Sequence, residues 1–276
     1  ACASAVLGTL ALLTGKGIVK VAPRQERTPA GRTAILMPVY NEDAVRVFAA
    51  AAATAESLAD AGARDAFSVF ILSDSTDPDA WIAEEAAFRA LIRRPAKRTR
   101  VFYRRRRRNT EKKAGNIADW CKRFGAAYPC FLILDADSLM DADTLIRLAL
   151  AMEDRPEVGL LQTVPASINR NTLFARVQQF AGRVYGPVMA TGLGAWARTA
   201  GNYWGHNALI RVKAFREAGH LPRLSGQAPF GGDILSHDFV EAALMRRAGW
   251  KIEIDADTRA SAEDGPQTLA EFHKRD

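Results

Sequence analysis

FLILDADSLM, residues 131–140, decides how the rest of the chain is read. Four large apolar residues run straight into two aspartates one residue apart. An unbroken apolar run of that length, without polar alternation, fits a strand covered on both faces of a parallel sheet. Ligands gather outside the carboxyl ends of such strands. Two carboxylates held close repel each other unless positive charge sits between them. The stretch therefore predicts a buried strand that delivers Asp135 and Asp137 to the rim of a site.

The flanking sequence repeats the pattern. TAILMP (33–38), SVFIL (68–72), RVFY (100–103) and VGLLQ (158–162) read as further strands. Helical stretches at 44–61, 79–93, 113–124 and 144–153 lie between them. Strands alternating with helices give βαβ units, hence an α/β domain with a mostly parallel central sheet and helices on both faces. Beyond Gln162 the rhythm changes. Residues 172–189 read as one long amphipathic helix, and 192–205 as a stretch rich in glycine and aromatics. ALIRV (208–212) is a strand, 213–218 a short helix, 221–232 a loop, 236–248 a helix and KIEID (251–255) a last strand. No internal repeat is present.

Composition is that of an ordinary globular protein: 276 residues, 48% hydrophobic and 25% charged. The formal net charge of +7 suits a polyanion, a membrane surface or a phosphorylated ligand. Cys2, Cys121 and Cys130 have no metal-ligand spacing and read as reduced thiols facing a cytosol. Residues 1–14 carry no charge and are followed by Lys16, Lys20, Arg24 and Arg27. Fourteen residues fall short of the about 20 that cross a bilayer. Two readings stand: a core helix or loose end, and the remnant of a transmembrane helix whose cytoplasmic side the basic residues mark. Residues 15–32 read as a linker and 33–276 as the main domain.

Polar residues recur at the strand ends. The first strand runs into Pro-Val-Tyr-Asn-Glu (38–42), the second into Ser-Asp-Ser (73–75) and the fourth into Asp135-Ala-Asp137. Taken singly, each fits a turn. Together they place acids on one crevice, where Mg²⁺ or Mn²⁺ is the simplest relief and a phosphorylated molecule the expected ligand. KKAGN (112–116) opens a helix, whose start attracts phosphate, so Lys113 is expected near a diphosphate. The arginines 104–108 read mostly as surface, or as contacts to an anionic membrane face. LSHDFVEAALMRRAGW (235–250) starts a helix with Ser236 as N-cap and Asp238 in the first turn. Asp238 either complements the helix dipole or serves as a general base, with His237 a supporting or a turn residue. A basic module binding nucleic acid through Arg104–Arg108 would leave the strand-end acids unexplained.

PVYNE, SDS, KAGN, DAD and SHD, in that order, resemble the processive inverting enzymes of glycosyltransferase family 2. The resemblance covers about 33–276 and implies the GT-A fold, a nucleotide-sugar-binding α/β domain. FYRRRRR (102–108), QQFAGRVYGPV (178–188), YWGHNALIRVKAF (203–215) and ILSHDFVEAALMRRAGW (234–250) look like one bacterial branch of that family. Its members polymerise glucose from UDP-glucose into the backbone of osmoregulated periplasmic glucans. By the short motifs alone, cellulose-like, chitin-like or hyaluronan-like products fit as well. A phosphatase of the haloacid dehalogenase type also carries DxD after an apolar strand, but it wants Thr or Val where Leu139 stands.

The resemblance implies roles. Tyr40 and Glu42, with Asp74, would hold uridine, and Lys113 would lie near the nucleotide or sugar. Asp135 and Asp137 would hold Mg²⁺ or Mn²⁺ and the UDP diphosphate. Asp238 would be the catalytic carboxylate, in a motif that reads Ser-His-Asp here and Thr-Glu-Asp in the family. Trp204, Gly205 and His206 would face the acceptor. The implied partners are UDP-glucose, a growing glucan and an acyl carrier protein, with no nucleic acid. The implied location is the bacterial inner membrane, with this domain on the cytoplasmic side and anchored by segments outside it. The family's Gln-x-x-Arg-Trp motif beyond the base helix is not found here. The expectation is a fragment of a larger membrane protein that binds UDP-glucose weakly and does not turn over.

Overall fold

Every residue of strand β1 (Thr33–Val39) except Pro38 is buried, because both faces of the strand are covered. Ile35, Met37 and Val39 join one apolar cluster, while Ala34 and Leu36 join another on the opposite face. This alternation within a wholly apolar run builds a three-layer domain. The computed structural model describes residues 2–15, 18, 21–22, 26–95, 97–218, 221–222, 224–226, 231–232, 234, 237–257 and 260–275. Helix α1 (Cys2–Thr14) precedes β1. After β1 come α2 (Ala44–Asp60), β2 (Phe67–Ser73), α3 (Pro78–Arg93), β3 (Arg100–Arg105), α4 (Lys112–Phe124) and β4 (Cys130–Ile133). Next are β5 (Ser138–Met140), α5 (Ala142–Asp154), β6 (Val158–Thr163), β7 (Ala166–Ile168), α6 (Leu173–Val184) and α7 (Gly186–Ala197). The chain ends with β8 (Ala208–Arg211), α8 (Val212–Ala218), α9 (His237–Arg247), β9 (Lys251–Asp255), β10 (Ser261–Asp264) and α10 (Leu269–Arg275).

The main sheet has the order β3-β2-β1-β4-β8-β6-β9. All neighbours pair in parallel except β8, which is antiparallel to both β4 and β6. The apolar faces of α2 and α5 fill one side and those of α4, α8 and α9 the other. Helix starts follow local chemistry. Asp43, Asp77 and Asp141 cap α2, α3 and α5 by accepting from backbone N–H groups of the first turns, and Thr172 does the same for α6.

The structure corrects the sequence reading in three places. The single helix expected over 172–189 is two, broken at Tyr185–Gly186, and α7 runs on to Ala197 through residues read as a glycine-rich stretch. Pro187 lies in the first turn of α7, where its missing N–H costs nothing. Gly192 belongs in that helix because α1 crosses it so closely that a Cβ would overlap the Ser4 carbonyl. The second difference is a small sheet, β5-β10-β7, that sequence reading did not foresee. Third, the arginine run is not all surface, as its pairing in the site makes plain. The expected N-cap, Ser236, lies outside the described residues. No helix among the described residues is long and apolar enough to cross a membrane.

Candidate active site

The carboxyl ends of β1, β2 and β4 open on a cavity of about 660 Å³. Tyr40, Glu42, Asp74, Lys113, Asp135 and Asp137 all line it, so the structure brings these expected residues together. Arg46, Asn109, Lys112 and Asn116 line it too.

The β1 wall is held by a hydrogen-bond network that runs from exposed Asn41 to buried Glu84. Asn41 takes a left-handed backbone (φ 60). Its N–H donates to Ser75 Oγ at 2.8 Å, and its Oδ1 accepts from Thr76 N and Asp77 N at 3.0 and 3.1 Å. Ser75 in turn donates to Glu84 Oε1 at 2.5 Å, and the Tyr103 hydroxyl donates to Glu84 Oε2 at 2.9 Å. Glu84 is fully buried. Glu84→Ala strands the buried Ser75 hydroxyl and the half-buried Tyr103 hydroxyl, so a loss of about 1–3 kcal/mol in denaturant unfolding is expected. Above this frame Tyr40 stays half exposed at the cavity rim, its hydroxyl 3.4 Å from Thr76 Oγ1. Burial pushes the Glu42 carboxyl up; the Tyr40 N–H opposes this, and the charges of Asp135 and Glu84 add to it.

At the β2 end, Asp74 is clasped by Arg106, whose Nε and guanidinium NH2 each donate at 2.7 Å. Arg104 also turns inward, to Asp119 and Asn116. Arg105 instead lies over the Trp81 ring at 4.3 Å. A strand sends successive side chains to opposite faces, so 104 and 106 share a side and 105 does not. Of the five arginines, Arg107 and Arg108 are exposed.

Asp135 and Asp137 flank the turn that follows β4. Ser138 N donates to the Asp135 carbonyl at 2.9 Å, and Asp264 N of β10 donates to the Asp137 carbonyl at 3.1 Å. The small sheet therefore fixes the turn that carries both acids. Lys113 Nζ stands 2.5 Å from Asp135 Oδ1. It reaches there from the start of α4, where Glu111 and Lys112 both have left-handed backbones and no side chain caps the helix. Gly115 is required at that start, because a Cβ would overlap the Thr110 carbonyl. Among the described residues no group of three or more His, Cys, Asp or Glu is placed to hold a metal. Two carboxylates on one short turn suit a hard cation whose remaining ligands are phosphate oxygens and water.

The other expected residues, Trp204, Gly205, His206 and Asp238, are not in the lining of that cavity. Gly205 (φ +89) packs directly on Asp238, and a Cβ there would stand 3.3 Å from Asp238 Oδ2. Buried Gln162 clamps this loop, accepting from Trp204 N and donating to the His206 carbonyl, both at 3.0 Å. Trp204 is half-buried, and His206 Nε2 lies 3.2 Å from Glu263. Tyr203 is buried beneath, with its hydroxyl donating to the Gly205 carbonyl at 2.8 Å. Burial raises that hydroxyl well above its ordinary range, and the charges of Glu241, Asp135 and Asp238 add to the shift.

Glu241 is a buried acid that sequence reasoning missed. It follows Asp238 by three positions and so shares its helix face, the one signal available. It is buried, with His237 Nδ1 at 3.2 Å. Burial raises its carboxyl; His237 opposes this, Asp238 adds to it, and Lys113 opposes it. The folded state therefore holds this proton more tightly than the unfolded chain. Its contribution to stability falls as pH rises from 4.5, the ordinary value, through the raised one. Glu241→Gln is expected to flatten the slope of melting temperature against pH over that window.

With this geometry in place, comparison becomes decisive. Residues 34–219 match the sequence profile of Glycosyl transferase family 2. The chain belongs to that family. This family 2 chain is 54% identical over 257 residues to glucans biosynthesis glucosyltransferase H of Vibrio cholerae, covering 93% of the chain and 36% of that protein. The protein of the same name in Shewanella baltica is 54% identical over 245 residues, covering 89% of the chain and 34% of its own length. The family 2 chain thus spans about a third of the length of the curated relatives it matches. In fold it is similar to a mannosyltransferase of Pyrobaculum calidifontis solved with GDP-Man and Mn²⁺, with a TM-score of 0.66 and 19% identity over 99% of this chain and 67% of that one. The expected GT-A fold is borne out.

Proposed function

We propose that this chain is the catalytic part of an inverting, cation-dependent glucosyltransferase. It takes glucose from UDP-glucose and extends a β-glucan backbone destined for osmoregulated periplasmic glucans. The observation that carries this reading is that Asp135, Asp137 and Lys113 line one cavity, while Asp238, packed on Gly205, lies near enough that its charge and that of Asp135 both act on the Tyr203 hydroxyl. The relatives named for glucan synthesis support the substrate, and the neighbour solved with GDP-Man and Mn²⁺ supports a nucleotide sugar with a divalent cation.

Each residue has a task. Tyr40 offers an exposed ring edge to a base, and Glu42 offers a carboxyl to the ribose side of the cavity. Asp74 acts together with Arg106, since the two are joined. Asp135 and Asp137 would hold Mg²⁺ or Mn²⁺, which when bound supplies positive charge to the departing diphosphate. Lys113 adds a second positive charge on the same side. Asp238 takes the proton from an acceptor hydroxyl. That oxygen forms a bond to the anomeric carbon from the face opposite UDP, and the bond to UDP breaks with the electron pair leaving on phosphate. An α-linked donor gives a β-linked product. Trp204 and His206 border the acceptor side.

The test is donor choice by the full-length protein in membranes, with radiolabelled UDP-glucose, UDP-N-acetylglucosamine and GDP-mannose supplied in parallel. Labelled polymer is expected from UDP-glucose alone. Polymer from another donor, with none from UDP-glucose, would refute the glucosyl reading.

A further inference from the structure

Each acid of the turn after β4 has a basic side chain near it. Lys113 Nζ stands 2.5 Å from Asp135 Oδ1, the two side chains 28 and 27% exposed. Arg46 lines the same cavity, where the charge of Asp137 reaches it. The two basic groups differ in what else they hold. The Arg46 guanidinium is paired with Asp264 of β10. Asp264 is itself fixed, by Asn169 Nδ2 at 2.8 Å and by its own N–H on the Asp137 carbonyl. For Lys113, the described residues offer one carboxylate in contact, and that is Asp135.

This places the lysine in competition. A cation shared by Asp135 and Asp137 needs the carboxylate that the ammonium now faces. Two positive charges within a few ångströms of each other repel, so one of them has to withdraw. Lysine is suited to withdrawing, since its charge rides on a flexible four-carbon stem. It also has a second position to turn to. No side chain caps the start of α4, and both Glu111 and Lys112 have left-handed backbones there. An uncapped helix start beside a lysine attracts phosphate oxygens, and Lys112 and Lys113 line the same cavity as the two acids.

We infer that Lys113 couples the two ligands of the cleft. With neither bound it neutralises Asp135; it yields Asp135 to a divalent cation and passes to the diphosphate of the donor. Cation and nucleoside diphosphate then bind more tightly together than apart, and part of that synergy resides in this one side chain. By linkage each ligand strengthens the other by the same factor. The inference rests on the proposed reading of the cleft as a site for a cation and a nucleoside diphosphate. It adds why the chain favours the pair over either one alone.

Manganese binding to the full-length protein is titrated with and without UDP, free Mn²⁺ being read by electron paramagnetic resonance. Lys113→Met is expected to bind Mn²⁺ alone about tenfold more tightly than the unaltered protein, because a rival positive charge is gone. UDP is expected to raise the Mn²⁺ affinity of that variant by a factor about tenfold smaller than in the unaltered protein. Lys113→Arg keeps the charge and is expected to bind Mn²⁺ alone as the unaltered protein does. Arg89→Met removes an exposed positive charge on α3, paired with Glu85, and is expected to change nothing. Mn²⁺ affinity without UDP that is unchanged or lowered in Lys113→Met, or raised equally in Lys113→Arg, overturns the inference and leaves the cation site standing. No Mn²⁺ bound by the unaltered protein even with UDP overturns both the inference and the reading beneath it. Should Lys113→Met fail to fold, amine acylation of the unaltered protein decides, with the Lys113 peptide followed by mass spectrometry. Faster acylation of Lys113 with Mn²⁺ alone, and protection once UDP is added, supports the inference; a rate that Mn²⁺ leaves unchanged overturns it.

Discussion

Asp238→Asn in the full-length protein is expected to lower glucosyl transfer by about 10²- to 10⁴-fold while UDP binding stays unchanged. Asparagine has nearly the shape of aspartate, so the packing against Gly205 survives. It cannot take up the acceptor proton. Glu241 is on the same helix face but is buried and held by His237. His206 lies against Glu263. Transfer is read as radiolabelled polymer and UDP binding by calorimetry on the same preparation. Polymer made at the unaltered rate would remove Asp238 from the role of base.

Asp137→Ala is expected to weaken Mn²⁺ binding in the presence of UDP by at least about 100-fold, more than the loss of an outer-sphere partner costs. Removing Asp135 instead releases Lys113, 2.5 Å away, and changes the charge of the α4 start. The turn that carries Asp137 is fixed through main-chain bonds from β10. Bound manganese is counted by electron paramagnetic resonance of the free ion. An unaltered count would show that the cation, if it binds, binds elsewhere.

The parts of this architecture that were legible in sequence share one property: they are long apolar runs with polar punctuation. β1, β2, β4 and β6 are buried on both faces, and a doubly buried strand leaves an uninterrupted signature. Where such a run stops, the next polar residue lies at the sheet rim, which is why Tyr40, Asp74 and the Asp135–Asp137 pair could be placed. The strands β5, β7 and β10 have three, three and four residues and pair with partners distant in sequence. Such short runs carry no period of their own. The break at Tyr185 was masked because the apolar pattern continues through it, even though Pro187 marks the restart. The arginine run read as surface because side-chain direction within a charged stretch depends on register, and register was set by β3 pairing with β2. Glu84 and Glu241 look like solvated helix residues until the fold buries them against Ser75 and His237.

Calorimetric titration of UDP-glucose into this chain, first with Mn²⁺ and then with the cation chelated, tests most directly whether the β1–β4 cleft grips a diphosphate through a cation. The account predicts measurable heat with Mn²⁺ that vanishes on chelation. Equal binding in both conditions, or no binding with the cation present, would contradict it.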